Sequence, residues 1–136
     1  MALAKGYKAL IAEAAAKTRG IARDAAQALL SDANTVFVDI RDVRELEREG
    51  MIPGAFHGPR GLLEFWVDPD SPYYKPVFAE NKRFVLFCAA GWRSALATKT
   101  LQDMGVDKVA HIDGGFTAWK EAGAPVAEKV AKATKA

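Results

Sequence analysis

Cys88 is the single cysteine in the 136-residue chain, and it opens CAAGWRS, which follows the apolar run FVLF and leads into SALATKTLQDMG. Small side chains at Ala89, Ala90 and Gly91 let a backbone curl tightly, and Gly91 can take a positive φ that a branched residue resists. A strand ending at Cys88 and a helix opening at Ser94, with Ser94 as its N-cap, would turn several backbone N–H groups toward one spot at the positive end of a helix dipole. That spot suits an anion. A Cys88 thiolate held there would be stabilised, ionised near neutral pH and nucleophilic. A free cysteine beside an apolar run is more often an inert small hydrophobe, so the case for chemistry rests on the loop rather than on the cysteine alone.

The elements that must hold this loop alternate. TVFVDI, FVLF and VDKVAHID read as buried strands, being short, apolar and rich in β-branched and aromatic residues. Between them IARDAAQALLSD, RDVRELEREG, SALATKTLQDMG and GGFTAWKEAG read as helices, the second closed by Gly50 and the third by Gly105. Strands that alternate with helices pair in parallel through crossovers, and sites then form at the carboxyl ends of the strands. Asp39 to Arg41, Cys88 to Arg93 and Asp113 to Gly115 all lie at such ends. Residues 62–82, rich in proline and aromatics, predict short helical turns and loop. At the start, Leu3, Tyr7, Leu10, Ile11 and Ala14 recur at helical spacing and predict an amphipathic helix over 1–20, packed on the same domain or, alternatively, on a second copy. The polar tail, 127–136, predicts frayed or weakly helical chain.

Bulk properties narrow the function. Half the residues are hydrophobic, which suits one compact domain. Nineteen basic against seventeen acidic residues, a net charge of +2 spread along the chain, give no nucleic-acid footprint. A single cysteine closes no internal disulfide, so a reducing compartment is expected, and with it the cytoplasm. His57 and His111 are far apart and form no zinc spacing with one cysteine; no metal and no cofactor is expected. MALAKGYKALIAEAAAKTRG lacks the apolar core of a secretory signal, and no stretch is long enough to span a bilayer.

From about Ile21 to Val126 the sequence resembles the rhodanese-like sulfurtransferases. VFVDIRDVRELEREGMIPGAFH is similar to that family's first signature, CAAGWRS to its active-site loop, and HIDGGFTAWKEAGAPV to its closing segment. The resemblance implies an α/β rhodanese-like fold, about five mainly parallel strands with helices on both faces, over residues 21–126. It implies that Cys88 takes a sulfane sulfur from a small-molecule donor such as thiosulfate, becomes a persulfide, and passes the sulfur to an acceptor. Negative charge on the persulfide and on departing sulfite is what a ring of inward N–H donors stabilises. With no second thiol in the chain, the acceptor must come from outside: cyanide, a low-molecular-weight thiol or a protein cysteine.

Four residues separate Cys88 from Arg93, where cysteine phosphatases related to the rhodanese fold place five; the smaller ring fits one sulfur atom better than a phosphoryl group. An arsenate reductase generally needs another thiol, and a non-catalytic interaction or sensory module has no need of the cysteine loop. Arg93 is open to two roles, contacting an anionic substrate or bracing the loop against a carboxylate such as Asp39 or Glu45. Asp39 and Arg41 match the family's Asp-x-Arg pattern and read as ion-pair members supporting the site. Trp92, too large to enter the cradle, reads as a lip or docking surface. His57, Arg60, Phe65 and Trp66 could form an opposite pocket wall, and packing explains each equally well. A monomer and a homodimer both fit, and Trp119 reads as core.

Overall fold

The computed structural model describes residues 1–130. In chain order the elements are α1 (Tyr7–Lys17), β1 (Gly20–Ile21), α2 (Arg23–Ala28), β2 (Thr35–Asp39), α3 (Val43–Glu49), β3 (Phe56–His57), α4 (Leu63–Val67), β4 (Arg83–Phe87), α5 (Trp92–Asp103), β5 (Val109–Ile112) and α6 (Gly115–Glu121). Short 3-10 turns occupy Arg60–Leu62 and Pro76–Ala79, in the region expected to hold only short turns and loop.

The five strands form one all-parallel sheet in the order β1-β5-β4-β2-β3. β4 lies near its centre, paired with β2 from Thr35↔Arg83 to Asp39↔Phe87 and with β5 from Phe84↔Val109 to Leu86↔His111. Side chains alternate along β4. Val85 and Phe87 join Phe37, Ile112, Phe116 and Trp119 on one face, while Phe84 and Leu86 join Val38, Leu63, Ala97 and Leu101 on the other. Burial on both faces is why these strands read as continuous apolar runs rather than alternating ones. Ala26 of α2 and Phe116 and Trp119 of α6 cover the first face; Leu63 of α4 and Ala97 and Leu101 of α5 cover the second. Trp119 is fully buried and its Nε1 donates to the Pro125 carbonyl at 2.7 Å.

Several expectations need correction. β1 and β3 went unread because two residues carry no periodicity; they are strands only because β5 and β2 offer them an edge. The N-terminal helix begins at Tyr7, so Leu3 lies outside it, and α1 packs on α5 with Ala14 fully buried. Its C-terminal end is tied down by Gln102, whose Nε2 donates to the Lys17 carbonyl at 2.7 Å. Ser94 is not the N-cap of α5: the helix starts two residues earlier, capped by Gly91 in the left-handed region at φ 101°. In the tail, Ala127 is held by a pair of backbone hydrogen bonds to Met51, at 2.8 and 2.9 Å; the rest of that expectation, over 131–136, lies outside the described residues.

Candidate active site

β4 ends at Phe87, and Cys88 begins the turn into α5 with its residue 1% exposed. Three groups converge on its sulfur. The Gly91 N–H donates to Sγ at 3.2 Å and the Ser94 N–H at 3.4 Å, while the thiol itself donates to Ser94 Oγ at 3.6 Å. Ser94 Oγ in turn donates to the Gly91 carbonyl at 3.2 Å, which locks the first turn of α5 around the sulfur. Gly91 reaches this geometry through its positive φ, which a side chain would strain. Two main-chain donors and the N-terminal end of a twelve-residue helix place partial positive charge where an anionic sulfur would sit.

The outer side of the loop is held by α6. Phe116 N–H donates to the Cys88 carbonyl at 2.8 Å and Thr117 N–H to the Ala89 carbonyl at 3.0 Å. With both carbonyls drawn toward α6, the Gly91 and Ser94 N–H groups are left to face the sulfur. This needs glycine at 115, where φ is +60° and a Cβ would stand 2.5 Å from the Cys88 carbonyl oxygen. The Gly114-Gly115 pair was visible in sequence as a strand-to-helix junction, but its service to a loop 26 residues away was not, because only the pairing of β4 with β5 brings the two together.

Neighbouring junctions supply the braces. Arg93 Nη1 and Nη2 each donate to Glu45 at 2.9 Å, and Glu45 also accepts from the Asp42 N–H at 2.8 Å, closing the capping box of α3. The Arg93 guanidinium holds the Glu45 carboxyl below the usual carboxylate range, aided by the Asp42 N–H and opposed by partial burial. Glu45 in turn raises Arg93 above its ordinary value, against the effect of burial. Of the two roles open to Arg93, the bracing one is the geometry present, and Glu45 rather than Asp39 is the carboxylate. Asp39 and Arg41, each 1% exposed, pair with one another: Oδ1 accepts from Nε at 2.9 Å and Oδ2 from Nη2 at 2.8 Å. Nη2 also donates to the Gly50 carbonyl at 2.8 Å, and the guanidinium lies 4.2 Å from the centre of the Phe116 ring.

The four residues expected on an opposite wall are dispersed into local contacts. His57 Nε2 donates to the Arg41 carbonyl at 2.7 Å. Arg60 Nη1 donates to Glu64 at 2.9 Å, Trp66 meets Phe56 edge-on with ring centres 5.9 Å apart, and Phe65 is exposed. A recess of about 500 Å³ that reaches the loop at Ala89 opens between α3 and α6. Ala89, Arg41 and Phe116 border it, with Glu45, Arg48 and Glu49 on the α3 side and Thr117, Lys120 and Glu121 on the α6 side. None of the four expected residues borders it. Their spacing to the cysteine carried no information about which of them would face the loop. Trp92 is exposed on the other flank, its ring centre 5.4 Å from that of Tyr7, and with Tyr7, Lys8, Ile11 and Ala12 it lines a small apolar recess of about 220 Å³. Among the described residues no group of acidic, histidine or cysteine side chains could hold a metal ion, and no helix is long and apolar enough to cross a membrane.

A family model described as rhodanese-like domain matches residues 22–122. An uncharacterized protein of Synechocystis sp. is 34% identical over 105 residues, 77% of this chain and 54% of that protein, so the chain spans about half the length of that relative. A solved structure from Rhodopseudomonas palustris, described as a protein of unknown function and possible tyrosine phosphatase, is similar with a TM-score of 0.90 and 52% identity, covering 93% of this chain and 97% of that one. A polysulfide-sulfur transferase homodimer from Wolinella succinogenes is similar with a TM-score of 0.69 and 29% identity, over 90% and 88% of the two chains.

Proposed function

The chain belongs to the rhodanese-like domain family, a family of sulfurtransferase type, and from that premise we propose that it moves a sulfane sulfur through a persulfide on Cys88. In the first half-reaction the Cys88 thiolate attacks the outer sulfur of a donor such as thiosulfate. The S–S bond of the donor breaks, sulfite leaves with the electron pair, and Cys88–S–S⁻ remains. In the second, an external thiol or cyanide takes the outer sulfur and returns Cys88 to thiolate. The observation that carries this reading is the convergence of the Gly91 and Ser94 N–H groups on the Cys88 sulfur, at 3.2 and 3.4 Å. Such donors stabilise negative charge as it builds during transfer, as an oxyanion hole does. Arg93 and Glu45 keep the loop in place, Asp39 and Arg41 hold the junction beside it, and no general base is required once the thiolate exists.

The functional unit is the domain over 21–126, with an N-terminal helical extension over 1–20 and a polar tail over 127–136; it acts in the cytoplasm as a monomer or homodimer. A phosphatase reading is raised by the description of the Rhodopseudomonas palustris neighbour. Against it stand the four residues between Cys88 and Arg93 and the engagement of both Arg93 terminal nitrogens with Glu45, which leaves the guanidinium unavailable to clamp a phosphoryl group.

The deciding experiment is intact-mass measurement after incubation with thiosulfate and, separately, with polysulfide. A single-sulfur adduct on the native chain, absent from Cys88→Ser, is expected. An adduct that survives the substitution, or Cys88-dependent hydrolysis of an aryl phosphate in place of sulfur loading, overturns the reading.

A further inference from the structure

The recess between α3 and α6 carries a charge pattern that the donor step does not use. Its walls set Glu45, Glu49 and Glu121 against Arg41, Arg48 and Lys120, three formal charges of each sign, which sum to zero. A dianion such as thiosulfate gains little from such a wall, since carboxylates repel it as the cations attract it. Most of these charges are engaged within the protein. Arg41 pairs with Asp39, Glu45 with Arg93, and Lys120 Nζ donates to the Glu49 carbonyl at 2.9 Å.

Two are different. Arg48 is engaged through Nε alone, 3.3 Å from Glu49 Oε1, and both its terminal nitrogens lack an acceptor among the described residues. Glu121 has neither a hydrogen-bonded nor an ionic partner among the described residues and borders the same recess. A guanidinium fork suits a carboxylate, and a carboxylate suits an ammonium. Both stand beside a cavity of about 500 Å³ that ends on Ala89, the residue after Cys88. We propose that this recess receives the sulfur acceptor and that the acceptor is a small zwitterionic thiol of the α-amino-acid type, its carboxylate on Arg48 and its ammonium on Glu121.

The proposal rests on Cys88 being the sulfur carrier. The acceptor thiolate attacks the outer sulfur of Cys88–S–S⁻, the S–S bond breaks, and its electron pair returns to Cys88 as thiolate. The acceptor departs as R–S–S⁻, and no outside oxidant or reductant is needed.

Four thiols of similar size test it on sulfur-loaded protein at low salt: cysteine (zwitterion), cysteamine (cation), 3-mercaptopropionate (anion) and 2-mercaptoethanol (neutral). The loss of the sulfur adduct is followed by mass and each rate is expressed per thiolate. Cysteine is expected to be fastest, by about tenfold over 2-mercaptoethanol if two exposed ion pairs contribute together. Arg48→Gln and Glu121→Gln are each expected to slow cysteine about three- to fivefold while leaving 2-mercaptoethanol unchanged. Equal rates for the four thiols, a preference for the anion, or a cysteine rate untouched by either variant overturns the inference. Protein that takes no sulfur from thiosulfate or polysulfide fails as a carrier, and this inference falls with that reading. Protein that loads but shows no charge preference fails the inference alone.

Discussion

After β2 the chain turns into α3 through Asp39 to Asp42, and after β4, its neighbour in the sheet, it turns into α5 through Cys88 to Gly91. The first turn spends its polar groups on itself. Asp39 takes the backbone N–H and two side-chain nitrogens of Arg41, Arg41 takes the Gly50 carbonyl, and both side chains are sealed from water. The second turn has almost no polar side chains of its own. Ala89, Ala90 and Gly91 contribute only backbone; the Gly91 N–H, with that of Ser94 in α5, meets the sulfur, and the Cys88 and Ala89 carbonyls accept hydrogen bonds from α6. A closed ion pair makes a junction rigid; a junction stripped to small residues can be shaped by its neighbours into a cradle. The cysteine turn therefore depends on contacts with other elements, whereas the Asp39 turn is self-contained.

Damage to the two turns is expected to differ in kind. Asp39→Ala leaves Arg41 charged, buried and half-paired, and a broken buried pair costs about 3–5 kcal/mol. Urea unfolding should show this loss in full, and the sulfur-loading rate of whatever protein remains folded should stay near the native value. A loading rate that fell in proportion to stability would mean that the two turns are not separable.

Gly115→Ala strikes the cradle from behind. A non-glycine residue at this positive φ costs about 1–3 kcal/mol, and the new Cβ would collide with the Cys88 and Ala89 carbonyls. The expected result is a modest fall in stability with a disproportionate loss of sulfur loading, since the loop must move. Native loading in this variant would show that α6 does not shape the cradle.

Glu45→Gln touches both turns, because Glu45 caps α3 and holds Arg93. Its carboxyl is depressed in the folded chain, so its contribution to stability is present above the ordinary carboxylate range, near pH ~4.3, and is lost as pH falls through the lower folded value. Denaturation measured against pH should therefore separate native and variant protein at neutral pH and bring them together in strong acid. His111 acts in a different window. Burial lowers its pKa, partly opposed by Asp113, so the unfolded chain binds the proton more readily and stability declines as pH drops below about 6.5. That decline should persist in Glu45→Gln.

The smallest effect is expected from Trp92→Ala. Trp92 belongs to the cysteine loop in sequence but leans outward on Tyr7, and an aromatic pair contributes about 0.5–1.5 kcal/mol. The docking of α1 should loosen, measured as faster amide exchange over Tyr7–Lys17, while sulfur loading changes little. A large kinetic effect would make Trp92 part of the cradle after all.

Much of this was legible beforehand. The apolar runs of β2, β4 and β5, the helices between them and the small residues after Cys88 each carry a local signal, because burial on both sheet faces and tight turning restrict residue type on the spot. Two-residue strands carry none, and β1 and β3 were missed for that reason. Ser94 was misplaced as a cap because a serine at a helix start has two local uses. Here it sits in the first turn with its hydroxyl on the Gly91 carbonyl, and the cap is Gly91 itself. The residues expected on a pocket wall do not border the recess beside Ala89, for another reason. His57, Arg60, Phe65 and Trp66 have the right chemistry for a wall, but local contacts use His57, Arg60 and Trp66, and the recess beside Ala89 is bordered by charged residues of α3 and α6 that look like ordinary solvated helix faces.

By itself the sequence determined that one thiol would stand at the end of a buried strand, ahead of a loop whose small residues permit a cradle, since strand and loop are each encoded locally. Only the tertiary structure decided what completes that cradle. The glycine pair of α6 behind the loop, Glu45 on Arg93, and the charged recess beside Ala89 come from segments far apart in the chain. They meet because parallel pairing stacks the carboxyl ends of β2, β4 and β5 along one edge of the sheet.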